Sequence, residues 1–208
     1  MEAKYFDEQW LEALISLGIR RAYPKGTILV HEGDTSDQLF VLLDGRLKVF
    51  LSDAGGKEIV IDTLVPRQYF GELAFDGQPR SASVATLEAS QVAIVQHDDF
   101  KHYLATHPDA AFVLIKTLIG RVRNLTHSIG SLALLDVYGR VARLLITNAT
   151  EQSGQWVVTE RMTQQQIAQR IGSSREMVSR ILGDLKAGGY ITMDRGSIVI
   201  RHNLPLHW

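Results

Sequence analysis

The residues with the clearest chemical potential lie at Phe70-Gly71-Glu72-Leu73-Ala74, followed after a turn by Pro79-Arg80-Ser81-Ala82-Ser83. A glycine lets a backbone N–H approach an anion closely, and a short helical turn after it points its N-terminus at the same place. Arg80 offers a guanidinium to phosphate-type oxygens, and Ser81 offers a hydroxyl and an N–H. Glu72 can accept a hydrogen bond from a sugar hydroxyl. By spacing alone, a surface turn with a stray ion pair satisfies the same pattern.

A second pattern spans residues 163–182. Thr163 suits the N-cap of a helix that carries Ile167, Ala168 and Ile171. Gly172 permits a tight turn, and Ser173 or Ser174 can cap a second helix that buries Val178 and Ile181. Ala168 stands four residues before Gly172, a small residue where two helices cross and a glycine where the chain needs positive φ. The spacing predicts a helix-turn-helix whose second helix enters the DNA major groove. Its exposed positions are Arg175, Glu176, Ser179 and Arg180. Arginine can bind the O6 and N7 edge of guanine with two hydrogen bonds, and a carboxylate can accept from cytosine N4. Thr163, Gln164, Gln165 and Ser174, at the two helix starts, complete the candidate DNA-facing set. The competing reading is a solvated charged face with an Arg–Glu pair.

These groups need elements to hold them. Helices are expected at 7–17, 98–106, 108–134 and 140–149. Short strand-like segments at 27–30, 38–43, 46–51, 57–64, 83–87 and 91–95 are separated by Gly and Asp turns. Strands at this spacing read as an antiparallel roll or barrel. Within 108–134, Ile115, Val122 and Ile129 alternate with Leu118, Leu125 and Leu132 at steps of three and four. β-Branched residues at a with leucine at d favour a two-stranded parallel coiled coil. A core helix packed on its own domain has the same period, but the strict seam flanked by Arg121 and Arg123 favours a homodimer helix. The residues Asp136-Val137-Tyr138-Gly139 break the pattern. A strand at 156–159 and a two-stranded hairpin, 190–193 and 197–201 about a turn at Asp194-Arg195-Gly196, frame the helix-turn-helix as a wing.

Composition narrows the class. The 208 residues include 45% hydrophobic and 22% charged side chains, ordinary for a globular chain. Zero cysteines exclude disulfides, thiolate zinc sites, iron–sulfur clusters and cysteine nucleophiles. The longest apolar runs are too short to span a membrane. The start, MEAKYFDEQW, lacks the order of a secretory signal. A cytoplasmic protein without a membrane partner is expected. Residues 1–138 hold 13 Lys+Arg against 18 Asp+Glu, and residues 139–208 hold 9 against 5. A basic C-terminal third suits a polyanion partner. No nucleophile–base pair or metal cluster emerges; His202 and His207 sit on a short tail, so no enzyme is expected. The remaining histidines, His31, His97, His102, His107 and His127, lack partners that would mark a haem ligand.

Over residues 5–202 the chain resembles bacterial transcription regulators of the cyclic AMP receptor protein/FNR family. FGELAF…PRSAS resembles the family's phosphate-binding cassette, LALLDVYGR its hinge, and SSREMVSRIL its recognition helix. The resemblance implies an α+β chain: a jelly-roll-like, cyclic-nucleotide-binding antiparallel β-roll over 1–107, a dimerisation helix over 108–135 and a winged helix-turn-helix over 136–208. It implies that Gly71, Glu72, Arg80 and Ser81 hold ribose and cyclic phosphate and that Val49, Ile61 and Leu73 line the pocket. Arg121 would meet Glu72. Leu125 and Thr126 stand where the cyclic AMP receptor protein places Thr and Ser to reach adenine, so one hydroxyl is missing. The function implied is a homodimeric, sequence-specific regulator switched by a cyclic-AMP-like nucleotide, with no other cofactor. The alternative is a relative that answers to a cyclic dinucleotide or another small molecule, or binds DNA constitutively. The implied DNA partner is a palindromic duplex with TGTGA-like or TTGA-like half-sites; Arg175 tilts toward the first and Ser179 toward the second. RNA polymerase is the implied protein partner.

Overall fold

The computed structural model describes residues 8–194 and 197–205. Of the expected features, the N-terminal MEAKYFD, Arg195 and Gly196 of the wing turn, and His207 lie outside the described residues. The chain divides into two compact units, Met1–Asn124 and Leu125–Trp208.

In the first unit, helix α1 (Glu8–Leu17) precedes β1 (Ile19–Tyr23), β2 (Ile28–Val30), β3 (Leu39–Asp44) and β4 (Leu47–Ser52). These are followed by β5 (Glu58–Leu64), β6 (Tyr69–Phe70), a 3-10 turn (Glu72–Asp76), β7 (Ser83–Thr86) and β8 (Ser90–Val95). Two antiparallel four-stranded sheets form, in the orders β1-β8-β3-β6 and β2-β7-β4-β5. Helix α2 (His97–Thr106) and the start of α3 (Pro108–Leu134) follow. The expected roll is present, with two strands that the pattern did not reveal. β1, IRRAY, is almost wholly exposed and carries two arginines at a sheet edge, so no apolar alternation marks it. β6 is only two residues long.

The packing explains why β3 and β8 read as continuous apolar runs. Leu39, Val41, Ala93 and Val95 face a cluster built with Trp10, Leu11 and Leu14 of α1 and Phe100 of α2. The alternate residues Phe40, Leu42, Val92 and Ile94 face the roll interior with Leu47, Leu64 and Val84. A sheet buried on both sides loses the in–out alternation of a half-exposed one. Each fully buried side chain of this kind contributes roughly 1.5–3 kcal/mol from burial.

In the second unit, α4 (Val137–Thr147) starts earlier than the expected 140, because Asp136 is its N-cap and accepts from the Gly139 N–H at 2.7 Å. The expected break therefore shrinks to the residues just before Val137. The helix also ends earlier, and Ala149 opens β9 (Ala149–Gln152), a polar strand absent from the sequence reading. β10 (Gln155–Val158), α5 (Gln164–Ile171), α6 (Arg175–Ala187), β11 (Ile191–Asp194) and β12 (Ser197–Ile200) follow. The wing is more than the expected hairpin, since its sheet has the order β11-β12-β10-β9. Val141, Leu145, Ile167, Ala168, Val178, Leu182, Leu185 and Ile191 form one buried core beneath it.

Candidate effector cradle and DNA-reading helix

The cradle is built where β6 ends. Gly71 has φ of +94°, and a Cβ there would lie 2.6 Å from the Gln38 carbonyl oxygen and 2.7 Å from Arg80 Nη1. Only glycine lets the backbone pass this close to the guanidinium. Arg80 is 6% exposed. Its Nη1 donates to the Gly71 carbonyl at 2.8 Å, Nη2 to the Gln38 carbonyl at 2.7 Å, and Nε to Ser36 Oγ at 2.9 Å. A guanidinium has five N–H donors, so two stay uncommitted by these bonds and keep the fork shape that matches an anion. Burial pushes the Arg80 pKa down, and the carboxylates of Asp37, Glu72 and Asp34 push it back.

Glu72 opens the 3-10 turn and is buried. Arg121, on α3, forms an ion pair with Glu72 Oε1, donates to the Tyr69 carbonyl and lies 5.2 Å above the Tyr69 ring. Glu72 Oε2 and Arg121 Nε are buried without a hydrogen-bond partner. Burial pushes the Tyr69 hydroxyl up to about 12, against opposing effects of Thr117 and Arg121.

Gly71, Glu72, Arg80 and Arg121 thus come together. Ser81 and Leu73 are exposed. Val49 and Ile61 lie on the β4–β5 hairpin at a register shift: Val49 pairs with Asp62 and Phe50 with Val60, leaving Ile61 as the bulged residue. Leu125 and Thr126 stand on the C-terminal half of α3. The sequence reading missed Ser36 and the carbonyls of Gln38 and Tyr69. A carbonyl has no residue signature, and Ser36 sits in a loop whose polar residues looked like punctuation.

The seam of α3 is open in the single chain. Ile115, Val122, Leu125, Ile129 and Leu132 are all exposed, Val122 by 62% and Ile129 by 66%, while Leu118 is half-buried. Ala110 is the buried residue of this helix among those described.

The two helices of the helix-turn-helix are fixed by their caps and by the turn between them. Thr163 closes a capping box with Gln166, its oxygen accepting from the Gln166 N–H at 3.2 Å and its N–H donating to Gln166 Oε1 at 2.7 Å. Gly172 takes the left-handed conformation, φ 66°, and ends α5. Ser174 caps α6 by accepting from the Met177 N–H at 3.2 Å, which decides between the two serines. Arg175, Glu176, Ser179 and Arg180 are exposed together, while Val178, Ile181 and Leu182 bury the opposite face. Gln165 is exposed, and Gln164 is half-buried. Arg170, two residues before Gly172, makes a two-pronged ion pair with Glu160 at 2.7 and 2.8 Å.

Comparison with known proteins matches this division. Residues 20–107 match the cyclic nucleotide-binding domain and residues 139–203 the Crp-like helix-turn-helix domain. A CRP-like cAMP-activated global transcriptional regulator of Mycobacterium tuberculosis is 31% identical over 183 residues, covering 86% of this chain and 82% of the relative. The cAMP-activated global transcriptional regulator CRP of Salmonella typhimurium is 32% identical over 186 residues, covering 86% and 87%. The structure of CLP, the c-di-GMP responsive global regulator of Xanthomonas campestris, superposes with a TM-score of 0.81 at 23% identity, covering 94% of this chain and all of that one. A CooA mutant from Carboxydothermus hydrogenoformans gives 0.81 at 19% identity, covering 92% and 87%; at these identities the likeness is one of fold. The chain belongs to the cyclic AMP receptor protein/FNR family of DNA-binding transcription regulators, which are not enzymes.

Proposed function

We propose that this regulator binds a cyclic nucleotide, cyclic AMP or a close analogue, in the cradle of Gly71, Glu72, Arg80 and Ser81, and acts as a homodimer joined along α3. The observation that carries the reading is Arg80: a buried guanidinium held flat by three hydrogen bonds, with two donors left for a phosphate. The unpartnered Glu72 Oε2 supports a hydroxyl donor beside it, such as a ribose. Val49, Ile61 and Leu73 would line the pocket, and the family resemblance puts Leu125 and Thr126 at the base-reading positions.

The assigned parts are an effector domain over 1–107, a dimer helix over 108–135 and a DNA-binding domain over 136–208. Ligand binding shifts the population toward an arrangement that sets two recognition helices one DNA turn, about 34 Å, apart. Arg175 and Arg180 read guanines and Glu176 a cytosine in each half of a palindromic site. Thr163, Gln164, Gln165 and Ser174 supply contacts around them. The protein acts in the cytoplasm, with RNA polymerase as its protein partner.

A second reading is favoured by Leu125. An apolar side chain replaces a hydroxyl there, which suits a different base or a cyclic dinucleotide, the ligand class to which the Xanthomonas campestris neighbour responds. Calorimetry with cyclic AMP, cyclic GMP and cyclic di-GMP separates the two. Cyclic AMP is expected to titrate to saturation with the wild type and to lose most of its affinity with Arg80→Ala. Unchanged affinity in that variant removes the cradle assignment.

A further inference from the structure

Arg80 is gripped from a direction that the glycine-and-arginine motif does not include. Its backbone N–H donates to the Asp34 carbonyl at 2.8 Å, and its own carbonyl accepts from the Gly33 N–H at 2.9 Å. Its side chain then reaches Ser36 Oγ at 2.9 Å and the Gln38 carbonyl at 2.7 Å. Four of its partners therefore come from one short stretch, 33–38, which joins β2 to β3. Three of those four are backbone groups, which no substitution alters directly. Ser36 is the one side chain in the set.

The bond that Ser36 makes is also the one that fixes the guanidinium plane. Nη1 and Nη2 each donate to a carbonyl, but a planar fork hung from two points can still tilt about the line that joins them. The third bond, at Nε, removes that tilt. Arg80 is buried whereas Ser36 is exposed. Loss of the hydroxyl thus opens no cavity, yet it strands a donor of a buried cation, which is costly unless the group turns to find another acceptor. Any such turn redirects the two donors that are left for an anion.

We infer that Ser36 is a positioning residue of the effector cradle, holding Arg80 through Nε so that its remaining donors are set for the ligand phosphate. The inference rests on the reading of the cradle as a cyclic-nucleotide site. Ser36 does not touch the ligand; it acts through Arg80, and a hydroxyl is the feature it must supply.

Calorimetric titration of the full chain with cyclic AMP tests this on wild type, Ser36→Ala and Ser36→Thr, with thermal unfolding of each ligand-free protein alongside. Ser36→Ala is expected to weaken cyclic AMP binding on the order of tenfold, the size of a lost hydrogen bond to a charged group. Ser36→Thr, which keeps the hydroxyl, should restore affinity to within about twofold of wild type. The unfolding midpoint should fall by no more than about 2–4 °C in Ser36→Ala and stay at the wild-type value in Ser36→Thr, so that lost affinity is not lost folding. Wild-type affinity in Ser36→Ala overturns the inference while leaving the cradle intact. Equal weakening by alanine and threonine also overturns it, because the loop's shape and not the hydroxyl would then matter. A wild type that takes up no cyclic AMP removes the cyclic AMP reading and this inference together, and is told apart by the wild-type titration alone.

Discussion

Arg80 combines a positive charge with burial, a pairing that is costly unless every donor is used. Three protein acceptors and the nearby carboxylates of Asp37, Glu72 and Asp34 meet that cost, and an anionic ligand would complete it. Arg121 is paired through its two terminal nitrogens, with Glu72 and with the Tyr69 carbonyl. Tyr69 beneath it is a neutral group that resists ionising. Its folded-state pKa is about 12 against an ordinary 10, so its contribution is whole below pH 10 and is lost as the pH rises toward 12. Denaturant titrations near pH 9 and near pH 11.5 should show the wild type losing roughly 2 kcal/mol more than Tyr69→Phe between the two. Parallel losses would mean that folding leaves the Tyr69 hydroxyl at its ordinary value. On the DNA side, Arg180→Ala should cost roughly 1–3 kcal/mol on a specific site and relax the preference at one base pair. An equal loss on all sequences, measured by competition gel shift, would assign Arg180 to phosphate instead.

At the scale of elements, legibility follows from how many sides of an element are solvated. Helix α3 could be read from its period because its seam is one exposed stripe, and α5 and α6 from Thr163, Gly172 and the serines that end and start them. β1 and β9 escaped because they are exposed, polar edge strands whose place is set by pairing with β8 and β10. The start of α4 was misplaced because Asp136 was read as part of a break when it is a cap. The seam also has a functional consequence. A polar residue at a d position weakens a coiled coil, and a ligand that satisfies it can act as a switch. With Leu125 the seam is apolar from Ile115 to Leu132, so two chains should zip together without ligand. Leu125→Thr is therefore expected to increase the dependence of DNA affinity on cyclic AMP. If the substitution leaves that dependence unchanged, the switch lies elsewhere.

For the whole molecule, charge asymmetry foreshadowed the division of labour: residues 1–138 are acidic and 139–208 basic. The cradle was legible where it depends on residue type, at Gly71, Glu72 and Arg80. It was illegible where it depends on the backbone of Tyr69 and Gln38 and on a loop serine, because those partners are selected by the fold. On the proposed function, a ligand in the first unit governs the DNA affinity of the second. The most direct measurement is the affinity of the wild type and of Arg80→Ala for a palindromic duplex, with and without saturating cyclic AMP, at fixed salt because phosphate contacts make affinity salt-dependent. Cyclic AMP is expected to tighten specific binding by the wild type and to leave Arg80→Ala unmoved. Wild-type affinity that is the same with and without the nucleotide would contradict it.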